Sequence, residues 1–464
     1  MLRTQAELMV ASWPSTIQLH ASSIGSALTD ICLRVFGHLK PTPMKAHYTF
    51  NWRDAGKVLV GMQMIESNSL KRQADVMKLF YHECYRNFGD RLLMAHDHRW
   101  FTQALEEVCR KHFYVVDELE EFASPANRGK AGPGKQPPAP GTDATGAQGS
   151  AGEEIDPKRK DQFLWPIRDP EQLFYSRWNQ EVEGFYMEVD NVAEIGKVIE
   201  ASLDRYNDSN ERVRLDLILF NKLNREMLKI LRVISAPNGH LINVAMKGFG
   251  MSSAIKLAAF AAGHQLRELD VCEGLTAGEW HDELRRSILA CGDEAKPLTL
   301  YVDESKMLRG EMYADLECLL KNYVASEIVR KPDIMLALTS IYQQQDAEQK
   351  VEQEEGDLYA DDDLTAEQRA EKERLKEEQH AEFRADNTRM LHRWPHVQAG
   401  LYDAFLNRVR DNFHLVLQYS PTGHDFREKI TAHKELLYLS SVVFTADLPA
   451  PELEALGRGF FRLE

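Results

Sequence analysis

The chain of 464 residues has no run of 18 apolar residues, so no membrane-crossing helix is expected. Its N-terminus has no lysine-led, leucine-rich leader; Pro14 and Ser15 interrupt the apolar residues there. There is no basic excess. The formal net charge is -16, which argues against general nucleic-acid binding. No H-E-x-x-H pattern is present, and His96 and His98 around Asp97 read as a surface cluster rather than a metal site. None of the six cysteines forms a C-x-x-C pair, which points to reduced thiols in a cytosolic protein.

The acidity is local. Residues 343–392 hold 16 acids against 7 bases, leaving a net of only -7 on the rest of the chain. This segment reads as an exposed, partly disordered insertion, with a candidate solvated helix over 366–382. Residues 123–156 hold five prolines, seven glycines and no aromatic residue. Such a stretch buries too little apolar area to offset its ordering entropy, so residues 123–160 are expected to be a disordered linker.

What remains is ordinary globular sequence, 43% hydrophobic and 28% charged. Residues 1–122 read as a small all-α domain. Leu28, Ile31, Cys32 and Val35 fall at helical spacing, and further helices are expected over 51–64, 70–88 and 100–112. From 161 to 464 the period changes. Helices over 189–206 and 215–233 precede strands at 240–246, 265–271, 298–302, 414–419 and 438–444, with helices at 252–262 and 278–290 between them. Five strands separated by helices predict a mainly parallel sheet covered on both faces.

The chemistry belongs at the first strand-to-helix turn, Ala245-Met-Lys-Gly-Phe-Gly-Met-Ser252. A phosphate-binding loop has the pattern G-x-x-x-x-G-K-[ST]: glycines let backbone amides curve around phosphate, lysine reaches the terminal phosphates, and the hydroxyl holds magnesium. Here Ala245 replaces the first glycine and Met251 the lysine, while Gly248, Gly250, Ser252 and Ser253 remain. On residue types alone the segment is either an ordinary glycine-containing turn or a reduced phosphate loop. Asp303-Glu304, at the end of an apolar strand about 50 residues on, has the form of a Walker B pair. In that arrangement the Asp holds magnesium and the Glu polarises the attacking water. The charge-assisted hydrogen bond that a lysine would make to phosphate is worth roughly 1.5–3 kcal/mol, or about 10- to 150-fold in affinity. ATP or ADP with magnesium is therefore expected to bind weakly if at all, with Ser252 and Asp303 as the metal-facing residues. Lys247 lies four residues too early to take the lysine's place.

Beyond these residues, the order of segments resembles dynein heavy chain. Leu231-Arg-Val-Ile-Ser-Ala-Pro-Asn-Gly239, the loop, Ile255-Lys-Leu-Ala-Ala-Phe260, Thr276-Ala-Gly-Glu-Trp280, Arg408-Val-Arg-Asp-Asn-Phe-His-Leu-Val-Leu417 and Ser420-Pro-Thr-Gly-His-Asp-Phe-Arg427 resemble the fourth AAA+ module of that family. Pro41-Thr-Pro-Met-Lys-Ala-His-Tyr-Thr-Phe-Asn-Trp-Arg-Asp54 and His82-Glu-Cys-Tyr-Arg-Asn-Phe-Gly-Asp-Arg91 resemble the helical lid of the third. The resemblance implies an AAA+ P-loop NTPase-type α/β fold, a parallel five-stranded sheet flanked by helices, preceded by a helical lid. It implies that Arg53 is the third site's lid arginine and that Arg427 is presented to that same site. It also implies a lid and a large domain packed as one unit, which we expect to meet across an apolar interface. The implied partners are other AAA+ modules of a dynein ring and, indirectly, intermediate and light chains and microtubules, with no nucleic acid or membrane. The chain is expected to end before its own lid and stalk, and to be axonemal rather than cytoplasmic. It is read as a regulatory module, weak or inactive in hydrolysis; a scaffold that binds no nucleotide is the alternative. An independent P-loop enzyme is disfavoured by Met251.

Overall fold

A computed structural model of the chain describes residues 2–11, 13–14, 18, 21–66, 69–113, 167, 173–178, 185–189, 192–209, 214–269, 276–307, 309–324, 327–342, 344, 395–421, 425–445 and 450–460. The expected linker and most of the acidic insertion, including its candidate helix, lie outside these residues.

The N-terminal part is built from helices α1 (Leu2–Val10), α2 (Ala21–His38), α3 (Trp52–Gln63), α4 (Gln73–Phe88) and α5 (Ala95–His112). Their apolar stripes meet in one core. Leu28, Ile31 and Val35 from α2 join Val58 from α3, Val76 and Phe80 from α4, and Phe101 and Leu105 from α5, all fully buried. Helix α3 starts at a capping box: the Asn51 side chain accepts from the Arg53 amide at 2.7 Å, and the Asp54 carboxylate accepts from the Asn51 amide at 3.1 Å. Asp54 is itself buried, between Arg91 and Lys57, each 3.1 Å away. Ile167, Leu173, Tyr175 and Tyr186, from beyond the expected linker, pack into this same core. The first of the two tyrosines belongs to β1 (Tyr175–Ser176), which pairs antiparallel with β2 (Met187–Glu188), directly after Tyr186. This two-stranded pair was not expected from the sequence, because strands of two residues are too short to leave an alternation signal.

Helices α6 (Val192–Ser209) and α7 (Asn221–Ser235) then lead into the large domain. There follow β3 (Leu241–Val244), α8 (Met251–Ala261), β4 (Gln265–Glu268), α9 (Ala277–Gly292), β5 (Leu298–Asp303), α10 (Gly310–Asn322), α11 (Pro395–Asn412), β6 (Phe413–Tyr419), α12 (Asp425–Ala432), α13 (Lys434–Leu439), β7 (Ser441–Phe444) and α14 (Ala450–Phe460). The five strands β3–β7 form one parallel sheet in the order β4-β5-β6-β3-β7. Side-chain alternation sends Ile242, Val244, Leu300, Leu415 and Leu417 into a core shared with Trp280, Leu284, Leu316 and Phe405. Leu241, Ala245, Tyr301 and Val416 face the opposite core, built on Met227, Leu231, Ile255 and Ala258. The expected α/β architecture is therefore present.

The helix expected over 100–112 begins at Ala95, so His96 and His98 lie in its first turn, and Asp97 between them is not part of a surface cluster: it is buried and accepts from Lys45 at 2.6 Å and from the Tyr48 hydroxyl at 2.9 Å. Two further boundaries differ in the kind of structure formed. The helix expected over 215–233 begins only at Asn221; residues 214–220 form neither helix nor strand and place Leu217 against Gly250. The strand expected over 438–444 is split. Tyr438 and Leu439 finish helix α13, whose Leu436 and Leu437 are buried, and only Ser441–Phe444 pairs with β3. Apolar residues in a short run fit either period, and packing decided.

The expectation of an apolar lid interface is wrong. Glu83, with no exposed surface, pairs with Arg232 of α7 and accepts from the Tyr186 hydroxyl at 2.6 Å. Lys229 of α7 lies 3.5 Å from Asp90, which also pairs with Arg86 at 3.2 Å. Lys57 donates to the Ser440 carbonyl at 2.8 Å, and His47 stacks on Phe444 with centroids 5.4 Å apart. The chain approaches closely here: a Cβ on Gly61 of α3 would collide with the Glu83 carboxylate. Removing one partner of such a pair strands a buried charge. Arg232→Met is therefore expected to lower stability by about 3–5 kcal/mol in urea denaturation, with partial recovery on adding Glu83→Leu. A loss below about 1 kcal/mol for the single variant would refute this role.

Five histidines carry depressed pKa values, chiefly through burial. His240 and His264 fall to about 3, His47 and His414 to about 4, and His82 well below its ordinary value. All five stay neutral in the folded chain, whereas the unfolded chain takes up protons below about pH 6.5. Their stabilising contribution is complete above that pH and is lost as pH falls toward 4. Each is expected to add about 1.4 kcal/mol per pH unit to the slope of stability below pH ~6. Thermal midpoints that do not change between pH 7 and 5 would contradict this.

Candidate nucleotide site

The turn after β3 lies at the C-terminal edge of the sheet, where parallel α/β folds place their ligands. The Ala245 amide donates to the Tyr419 carbonyl at 3.0 Å, anchoring the start of the turn to β6. Gly248 (φ +94) and Gly250 (φ +73) occupy left-handed conformations that side chains rarely adopt. Gly250 is the N-cap of α8 and offers no side-chain cap to the amides of the first helical turn. Unsatisfied amides at a helix start suit an anion. The backbone thus fits a phosphate cradle.

The side chains fit it less well. Met251 is 5% exposed and packs into the core beneath α8 with Ala254 and Ile255, so the charged lysine position has become part of the hydrophobic interior. Ser253 is half-buried on the same turn. The Ser252 hydroxyl is engaged with the Tyr301 hydroxyl at 2.8 Å. Burial pushes the Tyr301 pKa up to about 12, so that hydroxyl keeps its proton. Asp303 accepts from the Ser305 amide at 2.9 Å, capping the short 3-10 turn Glu304–Lys306. Glu304 accepts from the Ser420 amide at 3.0 Å and lies 3.3 Å from Lys247. Both of the expected magnesium-facing residues, Ser252 and Asp303, are thus engaged within the chain.

Three participants were not expected from the sequence: Tyr301, Ser420 and Lys247, the last of which stands too early in the loop to replace the missing lysine. The parallel pairing of Asp303 with Gln418 brings Ser420 beside the acid pair. Only that register, which spans more than a hundred residues of chain, makes it visible.

Arg53 is half-exposed on the lid and pairs with Glu435 of α13 at 3.4 Å. Arg427 is exposed on α12. Its charge adds to burial and Arg91 in disfavouring protonation of His47. Both arginines therefore sit beside the lid–sheet junction.

A family profile described as P-loop containing dynein motor region D4 matches residues 215–362 and 365–463, more than half of the chain. The chain belongs to the dynein heavy chain family. A profile for an AAA+ lid domain matches residues 26–123 of this dynein segment. The segment is 22% identical over 452 residues to human dynein axonemal heavy chain 6, covering 97% of the chain and 9% of that protein. It is 23% identical over 445 residues to mouse dynein axonemal heavy chain 1, covering 93% of the chain and 8% of that protein. With rat dynein axonemal heavy chain 5 it shares 23% over 438 residues, 90% of the chain and 10% of that protein. The dynein segment thus spans about a tenth of the length of the relatives it matches.

The two bonds to Glu304 differ in weight. The Lys247 ammonium is 62% exposed, so solvent screens its pairing. The Ser420 amide is half-buried and needs its acceptor. Glu304→Gln is expected to change stability by less than about 1 kcal/mol. Glu304→Ala should cost about 1–3 kcal/mol in denaturant titration. Equal effects of the two variants would show that the ion pair, not the amide bond, fixes the side chain.

Proposed function

We propose that the chain is the lid of a third AAA+ module joined to the large domain of a fourth in an axonemal dynein ring, and that its own nucleotide site is regulatory. The lid would comprise residues 1–122 and the large domain residues 161–464. The observation that carries this reading is the burial of Met251 where a phosphate-binding lysine would stand, in a turn that keeps left-handed Gly248 and Gly250. The turn offers backbone amides to a nucleotide phosphate, and when bound the nucleotide supplies the negative charge those amides favour. Lys247, the cation of the loop, stands four residues before the lysine position and pairs with Glu304, so the charge that would stabilise the developing negative charge of hydrolysis is missing from its place. Glu304, the candidate base, is held by Ser420 and Lys247 rather than left free to orient water. On this reading the segment binds nucleotide weakly, does not turn it over, and passes on conformational change. Arg53 and Arg427 serve the neighbouring third site, and work on microtubules is done by the whole ring. The names of the relatives support an axonemal, ciliary location. Other ring modules would be direct partners; intermediate chains, light chains and microtubules would be indirect ones.

A second reading, a scaffold that binds no nucleotide, draws support from the Ser252–Tyr301 bond, which occupies a hydroxyl that magnesium would need. Calorimetry with magnesium ATP separates the two. The regulatory reading expects weak saturable binding that Met251→Lys tightens about 10- to 150-fold, without phosphate release by the unaltered chain. An absence of saturable heat at millimolar ATP favours the scaffold.

A further inference from the structure

The turn between β3 and α8 carries a single charged side chain. From Ala245 to Ile255 the only charged residue is Lys247. Two lysines on the neighbouring elements are engaged elsewhere: Lys256 of α8 and Lys306 after β5 both pair with Glu268, at 2.7 and 3.1 Å. Lys247 precedes the first left-handed glycine instead of opening the helix, and its side chain is 62% exposed. The loop is uncrowded there. Beyond its chain neighbours, Gly248 has no atom within 4 Å of where a Cβ would stand.

The Lys247 ammonium lies 3.3 Å from Oε1 of Glu304. The other oxygen of that carboxylate, Oε2, accepts from the Ser420 amide at 3.0 Å. Glu304 thus ties the end of β5 to the loop through one oxygen and to the end of β6 through the other. The two ties are unequal. Ser420 is buried, whereas the lysine end is open to solvent.

Position decides what this cation can reach. In a Walker B arrangement the glutamate faces the terminal phosphate, because it orients the water that attacks there. A cation 3.3 Å from Glu304 therefore stands on the terminal-phosphate side of the loop. A lysine in place of Met251 would reach the inner phosphate as well. A terminal phosphate carries about two negative charges against one on a carboxylate, so it competes well for an exposed ammonium.

Building on the nucleotide-binding role set out above, we propose that Lys247 is the residue by which this site distinguishes ATP from ADP. It exchanges Glu304 for the terminal phosphate of ATP and stays on Glu304 when ADP is bound. Ser420 keeps Glu304 in place when Lys247 leaves. The exchange therefore breaks only a solvent-screened pair, worth at most about fivefold in affinity. A contact that is equally strong before and during cleavage tightens binding without speeding turnover, which suits a site that senses nucleotide rather than consuming it.

Isothermal titration of the whole chain with magnesium ATP and, separately, magnesium ADP tests this. The unaltered chain is expected to bind ATP at least about fivefold tighter than ADP. Lys247→Ala should weaken ATP by about five- to tenfold and ADP by less than about twofold, whereas Lys247→Arg should keep most of the preference. Glu304→Gln removes the competitor and keeps an acceptor for the Ser420 amide, so it should tighten ATP about two- to fivefold and ADP less. Lys247 is exposed and Gln is close to Glu in shape, so these variants should fold, which circular dichroism checks. Equal weakening of both nucleotides in Lys247→Ala, or unchanged ATP binding there, overturns the proposal and leaves nucleotide binding standing. Equal tightening of both in Glu304→Gln also overturns it, since loss of a nearby negative charge would then suffice. An absence of saturable heat at millimolar ATP, in the unaltered chain and in Glu304→Gln, overturns both this role and nucleotide binding itself.

Discussion

Glu83 is a carboxylate with no exposed surface in the middle of a lid helix, and it needs Arg232 from the other domain. Isolated in either domain, one of these charges would face a heavy desolvation cost. Their pairing fixes how α4 meets α7, and with Tyr186 it draws the short β1–β2 pair into the lid core. Gly61 on α3 leaves the space that the same carboxylate fills. Lys229, Asp90 and Arg86 add a second buried charge cluster between the same two parts of the chain. An apolar interface would allow sliding; bonded charges allow one register.

The candidate nucleotide site shows the opposite trend. Its backbone keeps the geometry of phosphate binding, with left-handed Gly248 and Gly250 at a helix start, but its side chains have turned to each other. Ser252 bonds Tyr301, Asp303 caps its own turn, Glu304 holds Ser420, and Met251 fills the core. The glycine turn lies at one end of the sheet and the cleft lined by His240 and Ser441 at the other.

Much of the fold was legible in the sequence because periodicity reports burial. The helices carrying Leu28, Val76 and Leu284, and the strands carrying Leu300 and Leu415, each show which face turns inward. Met251 was legible as well: a missing lysine is visible without coordinates. The errors fell where period is ambiguous, as in Lys434–Leu439, where Leu-Leu-Tyr-Leu suits a helix or a strand, and in residues 215–220, where an apolar run stays outside the helix and places Leu217 against Gly250. The charged interface was missed because Glu83, Asp90, Lys229 and Arg232 have the ordinary spacing of solvated helix faces. Nothing local marks them as buried.

The sequence by itself determined the family, the order of most elements and the absence of the phosphate-binding lysine, because each is a property of neighbouring residues or of a fixed pattern. Tertiary structure alone decided which charges are paired. Arg232 meets Glu83, Lys247 meets Glu304, and Lys321 shares a cleft with Lys57. Each of these relations joins distant parts of the chain, and the energy of a charge depends on what surrounds it rather than on its position in the sequence.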